Sequence, residues 1–272
     1  MSTMPKSFSF PSYRRLYRYL GETDAMVELT ELAARSFLDS ARQSENVREF
    51  VEAMSSKHGV RVNLGEIECL SRHLARSYIV TVYQSAECFL HEFRREHCGL
   101  YKRDWSGDGV NVDPLTVTLR NIAASQREAE DKIGRDIISL FDYYRSVRNW
   151  VVHTKESDNR KPQEDFDKIA AYSSKHKEEF ESILAPNPPE KLTFHDFIFF
   201  SRLTKHIAEK ISLIAQPSAD HWLQTFATAK FRKYSNNRDR MRNAVILSLR
   251  TDYGMDEHTA QWLAEQLCDS LA

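Results

Sequence analysis

Apolar residues recur along most of this chain at intervals of three and four, the spacing of one face of an α-helix. Met26, Leu29, Leu32, Ala33 and Phe37 set that rhythm between Asp24 and Arg42, with Thr23 or Asp24 placed to cap the helix. A shorter helix follows from Asn46 to His58, closed by Gly59. Asn63 and Glu66 have the spacing of a capping box. A long helix runs on to about His97, carrying Ile67, Leu70, Leu74, Tyr78, Val82, Phe89 and Phe93, and Cys98-Gly99 ends it. After a loop at 107–113, Asp113-Pro114 opens a helix to about Ser125, and a longer one spans about Glu128 to His153. Breaks at 157–162 and 185–190, the second proline-rich, bracket a very polar helix over Phe166–Leu184. Thr193 with Asp196 begins the next, which carries Phe197, Phe200, Leu203, Ile207, Ile211 and Ile214 and stops at Gln216-Pro217. Two or three short helices fill 218–272, and 1–12 reads as a flexible arm.

No strand-like alternation bounded by turn clusters recurs, and 272 residues hold only 8 Gly and 8 Pro, so the expected class is all-α. The formal net charge of −1 argues against a protein that coats nucleic acid through many phosphates, but leaves room for a compact site that grips one. Cys69, Cys88, Cys98 and Cys268 form no CxxC and, with no apolar export segment at the N-terminus, read as reduced thiols of a cytoplasmic protein. No run approaches ~18 consecutive apolar residues, so no membrane partner is expected.

The informative segment is Phe141–His153, FDYYRSVRNWVVH. Asp142, Ser146, Asn149 and His153 are spaced 4, 3 and 4 apart, which places them on one helical face with Arg145 beside them. Val147, Trp150 and Val151 are apolar and suit the other faces. A polar stripe on such a helix requires partners or water. Arg148 is followed directly by Asn149, then by three apolar residues and His153, and a helix break comes next. Arg-x-x-x-x-His spacing alone is weak. Arg242-Asn243 opens the same way but has Leu247 where the histidine would fall, so the histidine is the discriminating letter.

This pattern resembles the RNxxxH motif of the HEPN superfamily, over roughly Asn63–Ala215. Tyr83–Phe93 resembles the family's long helix with an acidic residue, here Glu87, and Thr193–Ala215 its closing helix. The resemblance implies a HEPN-like helical bundle over 63–215, with helical extensions at 1–62 and 216–272. It implies a metal-independent endoribonuclease without cofactor, in which the RNA 2′-hydroxyl attacks the adjacent phosphorus to leave a 2′,3′-cyclic phosphate. His153 would move the proton, because imidazole titrates near neutral pH. Arg148 would fork onto phosphate oxygens as charge develops. Asn149 would bond substrate or imidazole, with Asp142, Glu87 and Arg145 in support. Residues five apart on a helix differ in direction by about 140°. A homodimer with a shared cleft resolves that divergence and is the family's usual arrangement. A toxin or antiviral-defence effector held by an inhibitor or released by an activator is the expected setting; the alternative is a non-catalytic HEPN module that binds nucleotide, RNA or a protein. Some family toxins are modified on a tyrosine two residues after the histidine; Lys155 stands there.

Three weaker signals remain. Lys230 and Arg232, Lys233, Arg238, Arg240 and Arg242 form a basic run with aromatics that could guide RNA, although charge runs are usually solvated faces. Tyr13–Tyr19 mixes the same residue types and reads as an RNA or partner contact or as a packing arm. Cys88, His91, His97 and Cys98 have no standard zinc-finger spacing, and no metal is expected there.

Overall fold

The computed structural model describes residues 8–63, 67–107, 112–153, 160–181, 184–226, 228–234 and 236–269, the side chains of 171–175, 228, 229 and 232 excepted. The protein is all-α. Among the described residues there are α1 (Pro11–Gln43), α2 (Val47–His58), α3 (Leu70–Tyr101), α4 (Pro114–Asn121), α5 (Gln126–Ile133), α6 (Arg135–Val152), α7 (Arg160–Glu179), α8 (Phe194–Ile214), α9 (Ala219–Thr225), α10 (Arg238–Tyr253) and α11 (Glu257–Asp269), and no strand. No helix of the described residues is long and apolar enough to cross a membrane.

Several boundaries depart from the sequence reading for identifiable reasons. Helix α1 begins at Pro11, so the expected arm gives way to helix there, and Phe8 and Phe10 ahead of it are buried. Proline at a first helical position is pre-set for the turn and lacks only an N–H that would go unused. Helix α3 passes through Cys98-Gly99 to Tyr101, since one helical glycine costs only ~1 kcal/mol. The expected helix over 128–153 is two, broken at Gly134, whose φ of 107° is open to glycine and strained for other residues. The expected capping glutamate, Glu66, lies outside the described residues. The cap at Asp113 forms as expected, accepting from the N–H of Thr116, and Asn46, expected inside the second helix, instead caps it by accepting from the N–H groups of Arg48 and Glu49.

The chain folds as two compact units interleaved along the sequence. One comprises Met1–Arg18, Ser85–Ile138 and Lys205–Ala272, the other Tyr19–Gln84 and Ser139–Thr204. Their limits fall inside α1, α3, α6 and α8.

In the first unit, Phe10 packs edge-on against Phe93 at 4.8 Å and its N–H donates to Ser212 Oγ at 3.0 Å. Burying such a ring is worth ~2–3 kcal/mol, which fixes the segment leading into α1. His97 is buried, accepts from Trp105 Nε1 at 2.9 Å and stacks on Tyr101 at 4.3 Å. Burial, with Arg103 and His221 nearby, pushes its pKa down to about 4, so the ring is neutral at pH 7. Helices α10 and α11 pair through Val245, Leu249, Leu263, Ala264 and Leu267.

In the second unit, α6 and α8 meet through Tyr144 stacked on Phe200 at 4.6 Å, beside Phe141. Asp196 is buried at the start of α8. It accepts from Tyr144 Oη at 3.1 Å, from the N–H of Asn187 at 2.9 Å and from the N–H of Thr193 at 2.8 Å. Tyr143 Oη donates to the Asn187 carbonyl. Burial pushes the Asp196 carboxyl above its usual pKa while these hydrogen bonds pull it back. The knot ties the proline-rich loop to α6 and α8 and so holds the helix that carries the motif.

Candidate active site

Helix α6 buries the middle of its apolar face, while Trp150 and Val151 are half-buried and Val152 is exposed. Leu140, Phe141, Tyr143, Tyr144 and Val147 are buried, and that anchorage decides where the polar residues emerge. The expected polar stripe is divided by the packing. Ser146 is buried and its hydroxyl donates to the Tyr143 carbonyl at 2.8 Å, inside the helix. Asp142 pairs with Arg145 at 3.0 Å. At three residues' separation that ion pair closes on α6 itself.

The RNxxxH residues occupy the last turn and the residue beyond it. Arg148 is half-buried, its guanidinium 5.1 Å from the centre of the Tyr83 ring, and its Nη1 donates to Asn149 Oδ1 at 3.1 Å. Asn149 is exposed, and its carbonyl accepts from the His153 N–H at 2.9 Å. That bond finishes the helix and fixes the backbone from which His153 projects. The imidazole is exposed, and among the described residues no group hydrogen-bonds it. It stands just past the C-terminal end of α6.

Two residues of this site carried no sequence signal. Tyr83 is buried on α3 and forms the platform for Arg148. Arg76, two turns earlier on α3, lies 4.4 Å over the Trp150 ring. The two helices thus exchange cations: α3 gives Arg76 to Trp150, and α6 gives Arg148 to Tyr83. Arg76 Nε is buried and has no hydrogen-bond partner among the described residues. Burial first and Arg72 second lower the pKa of Arg76. An arginine far from another in sequence declares itself only once both faces are aligned. Glu87 is half-buried and belongs to the other compact unit, as its position on α3 past Gln84 dictates.

The remaining candidates are largely committed to packing within the first unit. Arg238 pairs with Asp269, and Arg242 with Glu265 at 3.3 Å, which stitches α10 to α11. Lys230 donates to Ser248 Oγ at 2.8 Å, and Lys233 and Arg240 lie against the Tyr234 ring. The Arg232 side chain is outside the described residues. In the Tyr13–Tyr19 segment, Arg15 pairs with Glu92 and Glu96, both at 2.7 Å, and Arg14 donates to the Thr251 and Asp252 carbonyls. His97 gives its Nδ1 to Trp105, while Cys88 and His91 are exposed.

No family model, no curated protein and no solved structure matches this chain.

Proposed function

We propose that the chain is a metal-independent endoribonuclease of HEPN type, acting as a toxin-like or antiviral effector in a homodimer whose motifs line a shared cleft. The observation that carries this reading is the end of α6: a permanently charged guanidinium oriented by Tyr83 and Asn149, with an exposed imidazole one helical turn past Asn149. Cleavage by an internal 2′-hydroxyl requires a group that takes and returns a proton and a cation for the developing phosphorane charge. His153 and Arg148 supply these, and Asn149 positions both the guanidinium and the His153 backbone. Arg76 is a second cation on the same pair of helices, suited to a neighbouring phosphate. RNA cleavage of this kind would harm its host, so an inhibitor or an activating partner belongs to the proposal.

A non-catalytic module that binds RNA, nucleotide or a protein is the second reading. It draws on the imidazole, which no described residue orients. The test is cleavage of an end-labelled mixed RNA pool in EDTA by the wild type, His153→Ala and Arg148→Ala. The nuclease reading expects cyclic-phosphate ends from the wild type and a rate at least ~100-fold lower from either variant. RNA binding without cleavage by the wild type would favour the module instead.

A further inference from the structure

A cleft of about 260 Å³ opens in the first unit beside the C-terminal end of α3. Arg95, Glu96, Gly99 and Leu100 of α3 line it, with Lys102 just past the helix. Pro11, Phe226, Lys230 and Tyr253 line it as well. All of them belong to one compact unit, and none is part of the RNxxxH site. At ~30 Å³ per water the cleft has the volume of about nine waters, room for a molecule smaller than a drug.

Two residues of the lining depart from what their backbone favours. Gly99 lies inside a helix, where glycine is less stable than alanine. Packing does not demand it, since a Cβ there would meet no atom within 4 Å. Lys102 has the reverse mismatch. Its φ is 52°, in the left-handed region that suits glycine and strains a lysine. Alanine at 99 and glycine at 102 would each serve the fold better. Instead a side chain is missing where the cleft opens, and a cation stands beside it. Local departures of this kind persist where a site uses them.

The charges say what the cleft takes. Its one carboxylate, Glu96, is spent within the unit. Oε2 accepts from the Ser12 N–H at 2.9 Å and from the Ser12 hydroxyl at 2.7 Å, and Oε1 accepts from Arg15 at 2.7 Å. Lys230 is partly spent, on Ser248 Oγ at 2.8 Å and Asp252 at 3.4 Å. Arg95 and Lys102 are exposed, and among the described residues neither forms a hydrogen bond or an ion pair. Next to these two cations lie Pro11, Leu100, Phe226 and Tyr253. An inorganic anion would use the cations and leave the apolar surface wet, and a neutral apolar molecule would do the reverse. An organic anion uses both.

We propose that this cleft binds a small organic anion, its carboxylate or phosphate group on Arg95 and Lys102 and its apolar body against Leu100, Phe226 and Tyr253. The site does not rest on the nuclease reading.

Benzoate and phenyl phosphate carry the two head groups on the same ring. They are titrated into the full chain by NMR at constant ionic strength. Inorganic phosphate supplies the charge without the body, and benzyl alcohol the body without the charge. At least one organic anion should bind with a Kd on the order of 0.1–1 mM, as suits about ten heavy atoms, and the tighter of the two names the head group. Inorganic phosphate and benzyl alcohol should bind at least ~10-fold more weakly. Gly99→Leu changes no charge and puts its side chain into the cleft. It should weaken binding at least ~10-fold, with helical circular dichroism unchanged and melting no lower than in the wild type. Lys102→Gly relieves the backbone and removes a cation, so it should weaken binding at least ~5-fold and also melt no lower. If Gly99→Leu misfolds, Arg95→Gln, a change at an exposed side chain, serves in its place with the same loss expected as for Lys102→Gly. Three results would each overturn the proposal: neither organic anion binding below ~10 mM, inorganic phosphate or benzyl alcohol binding as tightly as they do, or binding indifferent to these variants.

Discussion

Arg148 lies over the Tyr83 ring and donates to the Asn149 amide, and on the proposed nuclease reading the ring's contribution can be separated from the chemistry. A cation over an aromatic face gains ~1–2 kcal/mol when partly desolvated. Tyr83→Leu removes that attraction while keeping a buried apolar side chain, so RNA cleavage should fall on the order of tenfold, mostly in kcat. Tyr83→Phe, which keeps the face, should retain most of the activity; a loss as large as that of Tyr83→Leu would mean that the hydroxyl matters instead. His97 gives a prediction about stability. The unfolded imidazole takes a proton near 6.5 and the folded one only near 4. Between these values the unfolded chain binds more protons, so the stability is whole above pH 6.5 and is lost as the pH falls toward 4. The gap amounts to at most ~3 kcal/mol. Urea midpoints at pH 7.5 and 5.0 should therefore differ more in the wild type than in His97→Gln, which has no charge to gain. Equal differences would show that carboxylates elsewhere set the acid limb.

Among the elements, the break between α5 and α6 sets where the motif-bearing helix begins. Gly134 has a φ of 107°, and a Cβ there would stand 2.9 Å from Asp136 Oδ1. Gly134→Ala should cost ~2 kcal/mol, seen as a lower urea midpoint at unchanged slope. A neutral result would mean that the backbone relaxes into a continuous helix over 126–152. The sequence shows a glycine there but not the break, because one glycine inside a periodic apolar pattern is also tolerated in straight helices. Helix α1 teaches the converse. Met26, Leu29 and Leu32 mark the helix by their spacing, yet they lie on the face away from the core, which is built from Leu20, Val27 and Leu38. Periodicity reports that a helix has an apolar face, and with two such faces it cannot say which is turned inward. The motif's letters, Arg148, Asn149 and His153, are legible because they stand close together along the chain, His153 one helical turn past Asn149. Tyr83 and Arg76 come from α3 and left no trace in the sequence spacing, whereas the spacing of Thr193 and Asp196 marked the start of α8 but not the bonds from Tyr144 and Asn187 that Asp196 also accepts.

For the whole molecule, the quantity on which the proposed nuclease reading turns is how many phosphates it neutralises. The net charge is −1, and Arg238 and Arg242 of the basic run are bound to acids of α11. Surface pairs of this kind add little stability, but they lower the potential that would draw in an RNA strand. Among the described residues, Arg148 on α6 and Arg76 on α3 lie against rings of the facing helix, with His153 at the end of α6. Each neutralised phosphate of a single strand contributes about −0.7 to the slope of log affinity against log salt concentration. Binding of a single-stranded RNA by His153→Ala, which cannot turn it over on this reading, should therefore show a slope near −2, for about two to three phosphates. A slope steeper than about −4 would require that the run from Lys230 to Arg242 leave its acidic partners and join the RNA. Charge reversal at Arg240, which has no acidic partner among the described residues, would then flatten the slope by about one phosphate. With the shallow slope, the same change should leave affinity within about twofold, and recognition would rest on the few groups at the end of α6.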